Sequence, residues 1–521
     1  MSESKIIKGT FSLALSTVIV KLLGLIYKIP LAALLGDEGM GYFNSAYTVY
    51  AFFYLICTAG VPKAVMILTS EAKAKGDVNY ERKIVDVCYR AFLIFGLAVS
   101  AVFIALSQPL ANMIGNSKAA LTMVAIAPSI IFISLAGVIR GYLTAGMKML
   151  DIAVSQILEG VGKLAFGLIF AMLGIKLKMP LQTVSAFTIL GVTLGALAGL
   201  IYLLICSKTL KTRNKVGQKY KIAKNKLILK RLLSISIPIT VSAAAMSITN
   251  IIDLALIMRG LQSNGYSEAT ATALYGNYTT LAVPMFNLGI SILTPVSISF
   301  IPSFTAAVVR GDREELFRLA RKAMSFCAFL SAPITLGLAF YSKEILSLLF
   351  KGSQAAAGAP LLLLLSPAIV FSSVLLILNS ILETAGRVRA PIFSMLTGSL
   401  FKIVVSYFLI SKSNFGIMGA PVGTVVCYAT SLICSSVIFV KHFKRIPPIF
   451  STSLSSYMEA GVAVFVSKLV YNQIYDKVSG IISMGIAILI SAIIYFTMSA
   501  LFGSLPFGKR EKFGKTIQIS V

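Results

Sequence analysis

Three groups of ionisable residues stand inside long apolar runs of this 521-residue chain, and any chemistry it performs has to be sought there. Lys21 and Lys28 lie in VIVKLLGLIYKIP, residues 18–30, seven positions apart. That spacing is close to two helical turns, so both ammonium groups project from one helix face. Arg140 precedes Glu159 and Lys163, and the last two stand four apart, where they can pair on a helix. Asp253 is an acid well inside a third run, with Asn250 a turn before it and Arg259 after it. A charge near the bilayer centre costs roughly 2.5–3.5 kcal/mol on insertion scales, so such residues face an interior cavity or a partner.

Each group has a functional reading and a plain one. Lys21 and Lys28 are suited to bind an anion such as a pyrophosphate or an acidic sugar. Lys28 lies about 10 Å nearer the outer end of the helix than Lys21, and its alternative is to reach the interface and anchor that end. Pro30 is a plausible bending point there. Arg140, Glu159 and Lys163 either contact substrate or form a neutralised ion network that ties two helices together. Asp253 is the candidate for binding a coupling proton or Na⁺, with a pair to Arg259 as its alternative. Lys402 sits in a further apolar run without an obvious acid nearby, and Asn277, Tyr278 and Asn287 are polar lining candidates. Glu383 is expected to pair with Arg387. The pairs Gly76-Asp77 and Gly311-Asp312 read as turn residues, and Gly191/Gly195 and Gly419/Gly423 as close helix packing.

The elements that position these residues follow from composition. The chain is 57% hydrophobic and 13% charged, against about 25% charged in soluble proteins. Its mean hydropathy is +0.88. Apolar runs long enough to cross a bilayer recur throughout. They predict fourteen helices, near 9–35, 41–67, 88–112, 119–146, 151–175, 180–206, 233–259, 272–300, 323–350, 358–385, 390–411, 416–440, 453–474 and 479–503. The first is too long for a signal h-region and lacks a small-residue cleavage site, so it reads as a retained span. The fold class expected is an all-α polytopic membrane protein.

Alternate loops differ sharply in charge. Residues 207–232 carry ten Lys/Arg and no acid, whereas 36–40, 113–118, 260–271 and the other loops of their set hold few cations. The positive-inside rule places both termini in the cytoplasm. The net charge of +28 is therefore an orientation signal and an attraction to anionic membrane lipids, not a nucleic-acid footprint. The six cysteines include no CxxC pair, and neither a disulfide framework nor a metal site is indicated. With no tryptophan, Tyr and Phe are left to supply the interfacial belts.

The chain repeats itself. Gly76-Asp77 and Gly311-Asp312 are related by a shift of 235, TAG at 144–146 and 384–386 by 240, and Lys163 and Lys402 by 239. Six spans per unit make a parallel repeat, which predicts two pseudo-symmetric lobes around a central cavity. The expected division is a first lobe over 1–206, a basic linker over 207–232, a second lobe over 233–440, and two further helices with a tail over 441–521.

GDEGMGYF (36–43), RGYLTAGMK (140–148), SQILEGVGK (155–163) and PSF (302–304) resemble the polysaccharide-flippase branch of the MOP (multidrug/oligosaccharidyl-lipid/polysaccharide) superfamily. Within it the chain resembles the stage V sporulation protein B and YtgP-like group, related to the lipid II flippases. The resemblance covers essentially the whole chain. It implies a MATE-like fold that moves undecaprenyl-pyrophosphate-linked saccharides across a bacterial cytoplasmic membrane by alternating access. Lys21-Leu-Leu-Gly24 matches the basic-x-x-Gly pattern of lipid II flippases, whereas Lys28 stands next to, not at, their second basic position. Their charged residues near Asn277–Asn287 are absent here, which leaves the exact substrate open. A glycolipid is thus the expected partner of a monomeric carrier. With no GxxxxGK[ST] motif and no intramembrane histidine, no cofactor is expected, and the drive is H⁺, Na⁺ or the membrane potential. The competing readings are a multidrug/cation antiporter of the same superfamily and a membrane-bound transferase acting on lipid-linked glycans.

Overall fold

The computed structural model describes residues 3–213, 225–350, 352–412, 415–448, 450–475, 478–502 and 504–505. The side chains of residues 3–22, Lys21 among them, lie outside that description, as do 214–224 of the basic linker and most of the tail. The described residues are helical, with no strand.

The first predicted break is not a loop. Helix α1 runs Glu3–Thr58 and turns at a single residue, Gly36, whose φ of 65° and ψ of −174° are outside the helical region. Positive φ is cheap only for glycine, so one residue redirects the chain and helix resumes at once. Pro30 lies within α1 without a break in the helical dihedrals, so the bend is at Gly36. The second predicted span ends early at Thr58 and restarts as α2 (Val61–Ala74), where a proline stands in the first turn.

The chain continues as α3 (Val78–Met113), α4 (Ala120–Ile126), α5 (Ser129–Ala145), α6 (Met149–Lys176), α7 (Leu181–Arg213), α8 (Asn225–Ser263) and α9 (Glu268–Asn277). A π-helical turn, Tyr278–Ala282, joins α9 to α10 (Val283–Arg310). Then come α11 (Arg313–Phe340), α12 (Ser342–Leu349), α13 (Gly352–Leu365), α14 (Ala368–Thr384), α15 (Ala390–Ser411), α16 (Gly419–Phe443), α17 (Phe450–Ile474) and α18 (Gly480–Leu501). Among the described residues nine helices are long and apolar enough to cross a membrane, or eleven if each of two bent pairs is one span. The chain is thus a multi-pass membrane protein.

The repeat is visible in local geometry. Gly76 and Gly311 have φ of 71° and 69°, and the aspartate after each caps a helix. Asp77 accepts from the Tyr80 amide at 2.8 Å and Asp312 from the Glu315 amide at 2.9 Å. The α4/α5 pair bends by 42° and the α13/α14 pair by 43°, with Pro128 and Pro367 at the equivalent breaks.

By packing the chain divides into two compact units, one of residues 1–280 with 406–417 and one of 281–405 with 418–521. In the first, Val65, Leu68, Ile84, Phe92 and Tyr142 form a core with Ile228 and Leu232 of α8. In the second, Phe304, Met324, Ile377, Ile381 and Phe439 knit α10, α11, α14 and α16 together.

Candidate functional site

In the first unit, α7 presses a stripe of glycines onto α6. A Cβ added at Gly195 would stand 2.6 Å from the Glu159 carbonyl oxygen and 2.7 Å from the Lys163 nitrogen, and one at Gly191 would overlap the Gly167 backbone. Only glycine permits that approach, so the register of α6 is fixed at the turn that carries both charges. On another side α1 packs Tyr27 against Gly167, where a Cβ would meet the phenol oxygen at 2.5 Å. Tyr27 is 2% exposed.

The charges of α6 do not pair with each other. Glu159 accepts from Arg140 of α5, Nη2 to Oε2, at 2.8 Å. Lys163, one turn on, lies over aromatic rings of α1: its Nζ is 4.5 Å from the Tyr47 ring centroid and 5.5 Å from that of Tyr27. A cation over a ring face is worth about 0.5–2 kcal/mol, more when water is excluded. Such a site steadies an ammonium without neutralising it.

Lys28, next to Tyr27, donates from Nζ to the main-chain carbonyl of Thr279 at 2.9 Å. Thr279 belongs to the π-helical turn after α9. The wider hydrogen-bond pattern of such a turn displaces carbonyls from the regular α ladder, and Lys28 uses one. The turn is held against α1 by Asn44, whose Nδ2 donates to Thr280 Oγ1 at 2.8 Å. Close to it α9 meets the Gly36 bend, where Asn277 Nδ2 donates to Asp37 Oδ2 at 3.1 Å.

The structure therefore brings Lys28, Arg140, Glu159 and Lys163 into one unit on α1, α5 and α6. Three cations and one carboxylate leave two positive charges uncompensated among the four. Asn277 is 6% exposed and engaged with Asp37, which makes it a helix tie, not a free lining group. On α8 of the same unit Asp253 is half-buried and Asn250 exposed. Arg259 is not held for Asp253; its Nε and Nη2 donate to the Met113 and Asn112 carbonyls at 2.6 and 2.8 Å. In the second unit Asn287 is exposed and Lys402 half-buried. Glu383 and Arg387 form no ion pair among the described residues. Gly386, with φ of 80°, turns the chain between them, and Arg387 Nε lies 3.4 Å from His442 Nδ1.

Sequence reasoning missed Tyr27, Tyr47 and Thr279. The aromatic stripe Tyr47, Tyr50 and Tyr54, at three- and four-residue spacing, was the available signal; its successive rings lie tilted to one another with centroids 5.7 and 5.9 Å apart. Nothing local marks Thr279, whose part is played by its carbonyl.

Comparison with known proteins gives the family and the fold. Residues 6–309 match the family model described as "Polysaccharide biosynthesis protein", and residues 238–408 match one described as "MatE". Stage V sporulation protein B of Bacillus subtilis (strain 168) is 24% identical over 511 residues, covering 96% of each chain. Lipid II flippase MurJ of the same organism is 25% identical over 459 residues, covering 84% of this chain and 83% of its own. A solved structure described as "Lipid II flippase MurJ, inward closed conformation" superposes with a TM-score of 0.69 at 16% identity, covering 94% of this chain and 98% of that one.

Proposed function

We propose that this chain, which belongs to the polysaccharide biosynthesis protein family of the MOP superfamily, is a flippase for polyprenyl-pyrophosphate-linked saccharides. The observation that carries this reading is that Lys28, bonded to the Thr279 carbonyl, and Lys163, over the rings of Tyr27 and Tyr47, form no ion pair with a carboxylate among the described residues of a membrane-embedded helix cluster. A pyrophosphate is the natural ligand for two ammonium groups in such surroundings, and the Tyr47 ring, 38% exposed, adds a face on which a sugar packs. Arg140 and Glu159 hold α5 to α6 behind them.

In this reading the headgroup crosses from the cytoplasmic to the outer leaflet of a bacterial cytoplasmic membrane by alternating access, while the polyprenyl tail stays in lipid. Both termini are cytoplasmic. The chain is a carrier rather than an enzyme, and the membrane potential or an H⁺ or Na⁺ gradient drives it; one charge moved across 100 mV is worth about 2.3 kcal/mol. Lipid II and related cell-wall precursors are the substrates the similarity to the Bacillus relatives favours.

The test is outward exposure of labelled lipid II in cells depleted of their own flippase, with well-expressed Lys163→Ala and Lys163→Glu variants. Loss of exposure in both, with Lys163→Arg partly active, is expected. Full activity of Lys163→Glu would overturn the cationic site. The match to the MatE family over 238–408 supports a second reading, export of cationic compounds. That reading predicts that Lys163→Glu gains drug resistance instead.

A further inference from the structure

Away from the candidate site, α8, the end of α15 and the end of α3 enclose a cleft of ≈600 Å³ in the first unit. Its floor is one face of α8, built from Ile251, Ile252, Ala255 and Leu256, with Met113 from α3 beside it. Its head end holds Arg259 and Lys412, with the hydroxyl groups of Ser263 and Ser411 between the helices, and no acidic residue lines it. Arg259 to Ile251 is eight residues, about 12 Å of helix. The cleft is thus cationic at one end and apolar along its length.

The head end is rigid. Arg259 is fixed by its two bonds to the Asn112 and Met113 carbonyls at the C-terminus of α3. A guanidinium has five N–H donors, so others remain for a ligand. Gly260 brings α8 against α15, since a Cβ there would stand 2.7 Å from Ser411 Oγ, and the Asn264 side chain donates to the Ile410 carbonyl. Lys412 follows directly at the exposed end of α15. Charge alternation along the chain puts this end on the side away from the basic loops, at the outer membrane–water interface.

We propose that this cleft is a binding site for an anionic glycerophospholipid of the outer leaflet. Its phosphate lies between Arg259 and Lys412, and an acyl chain lies along Ile252, Ala255 and Leu256. Guanidinium and ammonium groups match phosphate oxygens, and the apolar floor matches the upper part of a fatty chain. The occupant is a resident lipid and not cargo, for two reasons. The cleft is open along its length and not enclosed as a cargo chamber would be, with Met113, Ile252 and Tyr407, which also lines it, between 42% and 48% exposed. The principal cation is also locked to a helix end, as a permanent site requires. Because Arg259 ties α8 to α3, a lipid seated on it strengthens that tie.

The experiment uses the purified, delipidated full-length chain in detergent. Phosphatidylglycerol, phosphatidylcholine or undecaprenyl phosphate is added, with thermal unfolding and native mass spectrometry as readouts. Phosphatidylglycerol should raise the wild-type midpoint by about 5 °C at saturation and leave one lipid bound. The rise should fall by more than half in Lys412→Glu and in Ala255→Trp, which fills the floor. Lys412 is exposed, so Lys412→Glu carries the test even if Ala255→Trp does not fold. Equal rises in wild type and Lys412→Glu, or an equal effect of phosphatidylcholine, would overturn the proposal. Displacement of phosphatidylglycerol by equimolar undecaprenyl phosphate would overturn it too, by assigning the cleft to cargo.

Discussion

The Lys28 ammonium and the Thr279 carbonyl lie 2.9 Å apart although 251 residues separate them in sequence. The bond joins α1, which carries Lys28 of the candidate site, to the π-helical turn that follows α9. A hydrogen bond to a charged group contributes about 1.5–3 kcal/mol, which corresponds to one or two powers of ten in an equilibrium. Lys28→Met keeps most of the apolar stem and removes the donor. It should lower lipid II exposure by about tenfold or more at normal expression, and Lys28→Arg should retain part of the activity. Wild-type transport by Lys28→Met would leave Lys28 as a mere anchor of the helix end.

Much of the fold was legible because it rests on local signals. Apolar runs mark helices, and Gly-Asp before a helix marks a left-handed turn followed by a cap, as Gly76-Asp77 and Gly311-Asp312 show. The charged residues of the site were legible as well, since a lysine in an apolar helix is conspicuous. Their partners were not. Glu159 had two candidate cations, and the choice of Arg140 over Lys163 depends on how α5 and α7 pack on α6. Lys28 found a backbone carbonyl, which no side-chain pattern announces. The Gly36 bend was read as a short loop because a single positive-φ residue leaves too little signal to distinguish the two.

The glycine stripe of α7 makes a sharp stability prediction. Overpacking a close contact costs about 1–3 kcal/mol, and at Gly195 the clash is with backbone atoms of α6, which cannot rotate away. Gly195→Val should lower the unfolding midpoint in detergent and reduce transport, because it moves the turn bearing Glu159 and Lys163. Gly24→Ala, in a place where a Cβ meets nothing within 4 Å, should leave the midpoint unchanged. Equal midpoints for Gly195→Val and wild type would refute the close-packing account.

Arg140 and Glu159 should behave as a pair. Their side chains are 14% and 29% exposed, so the bond is partly shielded from water. Removing one partner leaves a charge in poor surroundings, whereas replacing both with apolar residues removes the liability. Thermal unfolding of Arg140→Met, Glu159→Met and the double variant should show both single variants less stable than the double one. Strict additivity in that cycle would show that the two residues do not interact.

The two aspartate caps offer a matched test of the repeat. Asp77 and Asp312 each accept a backbone amide three residues on, from Tyr80 and Glu315, at the first turns of α3 and α11. Loss of an N-cap side chain costs about 1 kcal/mol, and asparagine, which caps as well as aspartate, should restore it. Asp77→Ala and Asp312→Ala should therefore each lower the unfolding midpoint by a few degrees, with Asp77→Asn and Asp312→Asn near wild type. Asp312 is exposed and Asp77 is 7% exposed, so the larger loss is expected at Asp77. If both alanine variants keep wild-type stability, the matching turns have no capping role. If the asparagine variants lose as much stability as the alanine ones, the negative charge itself, beside the positive end of each helix dipole, supplies the stabilisation.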